Sequence, residues 1–288
     1  MNVHREWPAW VLIAIVATVV AVNAFDYSVL VPQQQVRYEM QQAIVSGTAP
    51  AAQRFHILVP FVMEPIIRVV ATAMPWDVAF RRAYFAFHVL ALIVLLASVY
   101  AYARLWFTRD QALIGALIVG ASLRLVLRQG EYWDFTPIPA SSVFAPWSLL
   151  EPAFVALTLL FLYRRQLGWL WLTIVLAALN SGVAILVSTF TTSPVSTWQQ
   201  NVDHLPALAV NLALFLGAAT VLAVVGFRRS PRFARRAAAG AAAVASAILA
   251  LGYWWEVRAI TLLYPVVTPL ILSALFAPAS QPYGRREQ

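Results

Sequence analysis

The chain has 288 residues, of which 61% are hydrophobic, 13% aromatic and only 11% charged, with a mean hydropathy of +0.74. A soluble domain carries about 45–50% apolar and about 25% charged residues, so this composition excludes a water-soluble enzyme and points to a chain solvated by lipid. The net charge of +8 comes from 20 arginines with no lysine, and the absence of cysteine excludes disulfides, thiolate metal sites and cysteine nucleophiles.

A bilayer core about 30 Å thick needs roughly 17–25 apolar residues per helix. Taken in chain order, such runs are Trp10 to Phe25, Tyr84 to Ala103, Gln111 to Leu127, Trp147 to Tyr163, Leu167 to Phe190, Leu205 to Phe227, Ala237 to Trp255 and Ile260 to Phe276. The expected fold is therefore all-α: a polytopic transmembrane bundle of about eight spans, forming one integral membrane domain over residues 1–288. Val22 and Ala24 also fit a secretory cleavage pattern, but Trp7 and Trp10 flank the first run as they would an uncleaved anchor.

Residues 26–83 separate the first two runs and hold two further helices. In Gln33 to Gly47, Val36, Met40, Ala43 and Ile44 fall on one face, opposite Gln34, Arg37, Gln41 and Gln42. This is the pattern of an amphipathic helix lying on a membrane, ended by Gly47 and Pro50. The second, Ile57 to Ala73, is apolar on average but carries Glu64 and Arg68 at its centre with Pro60 and Pro65 nearby. Ionisable residues at mid-bilayer cost roughly 2.5–3.5 kcal/mol each, so a re-entrant or interfacial helix is expected here in place of a span.

Arginine distribution orients the bundle. Arg164 and Arg165, the cluster from Arg228 to Arg236, and Arg285 with Arg286 must share the cytoplasmic side, and eight spans with the N-terminus inside satisfy this. The inside then holds 12 arginines against 3 acids and the outside 8 against 9, with both termini cytoplasmic. If Ile57 to Ala73 crossed instead, either the arginine clusters would face outward or the N-terminus would have to. The arginines punctuate apolar runs and form no basic face interleaved with aromatics, which argues against nucleic acid and makes anionic membrane lipids the expected counterions.

Several ionisable groups gather on the outer side. His56, Glu64 and Arg68 fall on one stripe, and Arg81 with His88 continue a polar face into the second span. A carboxylate, imidazoles and guanidiniums at one interface suit an anionic lipid headgroup; alternatively, Glu64 and Arg68 form an i, i+4 ion pair that satisfies itself. Arg124 and Arg128 precede Glu131 and Asp134, and Glu256 and Arg258 lie beside Tyr253, Trp254 and Trp255. Local ion pairing and an aromatic belt account for these two groups equally well. The four histidines are scattered, so no resident metal or other cofactor is expected, although a lone carboxylate can share a divalent cation with a phosphate substrate.

Taken in order, several stretches resemble the multispanning bacterial glycosyltransferases of the GT-C type. They are the acid after the first span, Asp26 in Phe25-Asp26-Tyr27; the run Arg54-Phe55-His56-Ile57-Leu58-Val59-Pro60; the turn from Tyr100 to Arg104; Tyr132-Trp133-Asp134; Leu179-Asn180; and Glu256-Val257-Arg258 before Pro265 and Pro269. Such proteins commonly continue the Leu-Asn step with Arg and Glu, whereas Ser181 and Gly182 follow here, and this chain has no outer soluble domain.

The resemblance implies a protein of the bacterial cytoplasmic membrane that transfers a sugar from a polyprenyl-phosphate carrier to an acceptor on the outer face. Asp26 is then the expected base, with Glu64 and Asp134 as further catalytic carboxylates, and Arg54, His56, Arg68, Glu256 and Arg258 as substrate-binding residues. The departure after Asn180 keeps open a non-catalytic lipid-binding or assembly protein on the same scaffold. An intramembrane hydrolase would need a glutamate pair that is absent. A transporter would need midplane polar residues, of which the spans offer almost none.

Overall fold

In a computed structural model covering residues 3–28, 38–39, 41–49, 58–129, 150–182, 217, 219–251 and 262–278, the described residues form helices and contain no strand. In chain order these are α1 (Val3–Ser28), α2 (Leu58–Val70), α3 (Trp76–Ala103), α4 (Arg109–Gln129), α5 (Leu150–Tyr163), α6 (Leu167–Ala177), α7 (Arg232–Leu251) and α8 (Tyr264–Leu275). A π turn, Ala178–Gly182, prolongs α6, and residues 219–227 are helical ahead of α7. Each of the eight apolar runs is thus helical over most of its described residues.

Two of these helices are long and apolar enough to cross a membrane, the stretch Glu6–Asn23 of α1 and the whole of Trp76–Ala103. α3 begins eight residues before the run expected at Tyr84, because Pro75 sits in extended backbone at its start and Asp77 places a negative charge in its first turn, where the helix dipole favours one. α5 and α8 have 14 and 12 residues, about 21 and 18 Å at 1.5 Å per residue, short of a full bilayer core. In α8, Pro265 occupies the first turn, where its missing N–H is no loss.

α1 and α3 run antiparallel. Glu6, at the start of α1, accepts hydrogen bonds from Tyr100 and Arg104 at the end of α3, and the Trp10 ring meets Tyr100 edge-on at 5.4 Å. Any single crossing between them would have made them parallel, so Ile57 to Ala73 does not carry the chain from one end of the pair to the other. α2 instead folds back along the first part of α3 through the turn at 71–75, burying Val59, Met63 and Ile67 against Phe80, Ala83 and Tyr84. At 13 residues it is about 20 Å long.

The other helices follow the same alternation. Trp106 after α3, Tyr163 at the end of α5 and Phe233 at the start of α7 form a ring cluster with centroids 5.2–6.1 Å apart. This cluster lies at the Glu6 end. Leu150, at the start of α5, packs at the opposite end on the α2–α3 cluster. Two of the arginine clusters expected to share one side, Arg164 with Arg165 and Arg228 to Arg236, therefore meet at one end of the bundle; Arg285 and Arg286 lie outside the described residues. α8 is buried along most of its length, and its Ser273 and Thr268 hydroxyls donate to the Pro269 and Tyr264 carbonyls.

Much of the outer surface is apolar. α6 exposes Leu167, Trp169, Trp171, Leu172 and Val175, α2 exposes Phe61, Val62, Ile66 and Val69, and the helix before α7 exposes Val221, Val224 and Val225. A helix apolar over most of its circumference is not a surface that water solvates well.

The amphipathic helix expected over Gln33 to Gly47 is described at 38–39 and 41–45. It ends in a Schellman motif: the Gly47 amide donates to Ile44 and the Thr48 amide to Ala43, with Gly47 at φ +74°. A Cβ at this φ is strained even though open space surrounds it, so Gly47→Ala should destabilise the protein by about 1 kcal/mol in thermal unfolding monitored by tryptophan fluorescence.

Candidate functional site

The helical turn at 41–45, α2 and the start of α3 converge on one carboxylate. Glu64 Oε1 accepts from Arg68 Nε at 2.9 Å, while Oε2 accepts from Gln41 Nε2 at 2.8 Å and Gln42 Nε2 at 3.0 Å. The Tyr84 hydroxyl donates to Gln41 Oε1, completing a chain from α3 through the helical turn at 41–45 to α2. His88, one turn further along α3, is buried and donates from Nδ1 to the Tyr84 carbonyl at 2.6 Å; a carbonyl only accepts, so Nδ1 carries the proton.

This arrangement corrects the expected face of the amphipathic helix. Gln41 belongs on the solvated side by its spacing, yet it is 3% exposed. An amide can donate to a carboxylate and accept from a phenol at once, so Gln41 is stable inside where a one-sided polar residue would not be. Ile44, on the apolar side of the same turn, is buried as expected. The i, i+4 pairing of Glu64 with Arg68 does form, but it uses only one of the two carboxylate oxygens.

Glu64 is held charged. Burial pushes its pKa up, but hydrogen bonds from Arg68, Gln41 and Gln42, together with the Arg68 charge, outweigh it and leave the group below its ordinary 4.5. The side chain of Glu64 is 9% exposed and that of Arg68 is 68% exposed. Arg68 therefore reaches the surface with its stem fixed to a buried anion. Nearby on α3, Arg81 pairs with Asp77 at 3.3 Å.

The opposite end carries a second buried carboxylate, Glu6, which lies between Tyr100 and Arg104; Arg104 also donates to the Phe107 carbonyl at 2.8 Å. Glu6, Tyr84, Gln41 and Gln42 were not among the residues selected from the sequence. The one local signal for the glutamines is their position a turn before Gly47; Glu6 has none, because its partners lie 94 and 98 residues away.

Of the residues selected for chemistry, Glu64 and Arg68 are brought together. Asp26 falls in the last turn of α1, at the same end of the bundle as Glu64, and its side chain lies outside the described residues. Arg54, His56, Asp134, Glu256 and Arg258 also lie outside them. Asn180 is fully buried, and its π turn packs against α2 and α5. Single π turns inside α-helices recur at functional sites. Among the described residues no group of three His, Asp or Glu could hold a metal ion. No protein-family model matches this sequence, and no curated protein or solved structure matches it either.

Proposed function

We propose that the chain is a polytopic protein of the bacterial cytoplasmic membrane, with eight spans and both termini inside, that transfers a sugar from a polyprenyl-phosphate carrier to an acceptor on the outer face. The observation that carries this reading is the antiparallel α1–α3 pair with α2 held at the Asp26 end, so that the acid after the first span and the Glu64–Arg68 pair share one side. The alternation of helix ends and the apolar faces of α2 and α6 support the membrane part. In the reaction a carboxylate removes the acceptor hydroxyl's proton as its oxygen attacks the anomeric carbon. The sugar–phosphate bond breaks with its electron pair leaving on the polyprenyl phosphate, which a guanidinium stabilises.

A base works best with a pKa near the working pH. Glu64 is charged, clamped by three donors and below the ordinary carboxylate range, so its role is to fix Arg68 and the outer helix, and Asp26 is the base. Lipid extracted from the protein purified in mild detergent should contain a polyprenyl phosphate by mass spectrometry. Asp26→Asn should retain the carrier with its sugar attached, where the unaltered protein yields the bare phosphate. A lipid fraction holding only bulk phospholipid overturns the reading.

A second reading, a non-catalytic lipid-binding protein on the same scaffold, is favoured by the saturation of Glu64 and by Ser181 and Gly182 after Asn180. It predicts the carrier in both proteins with no difference in its sugar content.

A further inference from the structure

The end of the bundle opposite Glu64 presents arginines on two turns that the ring cluster of Trp106, Tyr163 and Phe233 holds side by side. Arg164 and Arg165 directly follow Tyr163. Arg228, Arg229 and Arg232 precede Phe233, and Arg236 lies one turn further along α7. All six are exposed. None of the six makes an ion pair among the described residues. The acids at this end do not neutralise them: Glu6 is buried against Tyr100 and Arg104, and Asp110 is 89% exposed beside Arg109.

Two further observations specify the occupant. The apolar residues Leu167, Trp169, Trp171 and Phe227 are exposed immediately beside these arginines in the chain, so the charged rim adjoins a surface suited to acyl chains. Arg165 adopts φ 56°, a left-handed conformation that glycine fills at no steric cost and that costs an L-residue roughly 1–2 kcal/mol. A guanidinium occupies a position where the backbone alone would favour glycine.

We infer that the turns at 164–165 and 228–232 together form a binding site for the phosphate headgroup of an anionic phospholipid, with Arg164, Arg165 and Arg232 as its main donors and the Trp169–Trp171 face receiving its acyl chains. Guanidinium suits phosphate because its planar fork donates two parallel hydrogen bonds. This rests on the membrane part of the reading above and not on sugar transfer, so failure of the carrier assay leaves it standing.

The test uses the full chain in detergent micelles containing equal amounts of phosphatidylglycerol and phosphatidylcholine, with bound lipid counted by native mass spectrometry. The unaltered protein should retain the anionic lipid preferentially. An arginine near an anionic surface is worth about fivefold in binding, so Arg164→Gln combined with Arg232→Gln should lower that preference about twenty-fivefold. Arg165→Gly relieves the left-handed residue and so keeps the fold while lowering the preference about fivefold. Arg82→Gln, at the other end, should change it little. Equal retention of the two lipids by the unaltered protein, a preference unmoved by the double substitution, or an equal loss from Arg82→Gln overturns the site. So does loss of a co-purifying acidic protein, with lipid preference intact, in the double variant.

Discussion

Gly226→Val should prevent the protein from being recovered as a folded species, seen as loss of the monodisperse peak in detergent size exclusion and of any cooperative thermal transition. A Cβ at residue 226 would lie 1.9 Å from the Leu270 carbonyl oxygen and 2.8 Å from the Ala274 amide nitrogen. Both obstacles are backbone, so no change of rotamer relieves the clash, and the helix before α7 must move away from α8. α8 is buried along most of its length and touches α3, α4, α5 and α7, so its displacement spreads through the bundle. A cost above about 3 kcal/mol is expected, at the upper limit of ordinary overpacking. Gly240→Ala is the control. Nothing lies within 4 Å of a Cβ there, in the middle of α7, and replacing a helical glycine should raise stability by about 0.5–1 kcal/mol. If both substitutions leave unfolding unchanged, the close approach of residues 226 and 270 is wrong.

Glu64→Ala should release residues 41–49 from α2. The change strands the Gln41, Gln42 and Arg68 donors that now converge on one carboxylate, at a cost of about 3 kcal/mol. Exchange of the Thr48 and Ala49 amides, which bond to the Ala43 carbonyl, should then accelerate about a hundredfold in hydrogen-exchange mass spectrometry. The same measurement has a pH dependence of defined sign. The carboxyl of Glu64 lies lower in the folded protein than its ordinary 4.5, so the unfolded chain takes up its proton first as pH falls. The stabilisation is fully present above pH 4.5 and is lost as pH falls below it through the folded value. Protection of Thr48 and Ala49 should decline over that interval, beyond the intrinsic change in exchange rate. Glu64→Gln should show no such decline; a matching decline in that variant assigns the effect to other acids.

The chain's composition and its apolar runs determined that it is helical and where most of its helices lie; the runs predicted about eight spans, and two of the described helices are long and apolar enough to cross a membrane. These are local properties: a run of Leu, Val and Ala sets burial preference, and Gly47 supplies the left-handed residue that stops a helix; the starts at Pro75 and Pro265 emerged only in the structure. The positions of Arg164, Arg165 and Arg228 to Arg236 also revealed that these segments belong together, because each must avoid the same apolar layer.

Tertiary structure decided which polar groups face one another. Spacing placed Gln41 on the solvated side of its helix, and only the meeting of that helix with α2 and α3 turned it inward between Glu64 and Tyr84. The Glu64–Arg68 pair was legible because its partners are one helical turn apart. Its two glutamine partners lie 22 and 23 residues away, and helical periodicity carries no information about a second helix. The direction of α3 relative to α1 had the same status. Charge counting left two orientations of Ile57 to Ala73 open, and the contact of Glu6 with Tyr100 and Arg104, a long-range pairing, made α1 and α3 antiparallel.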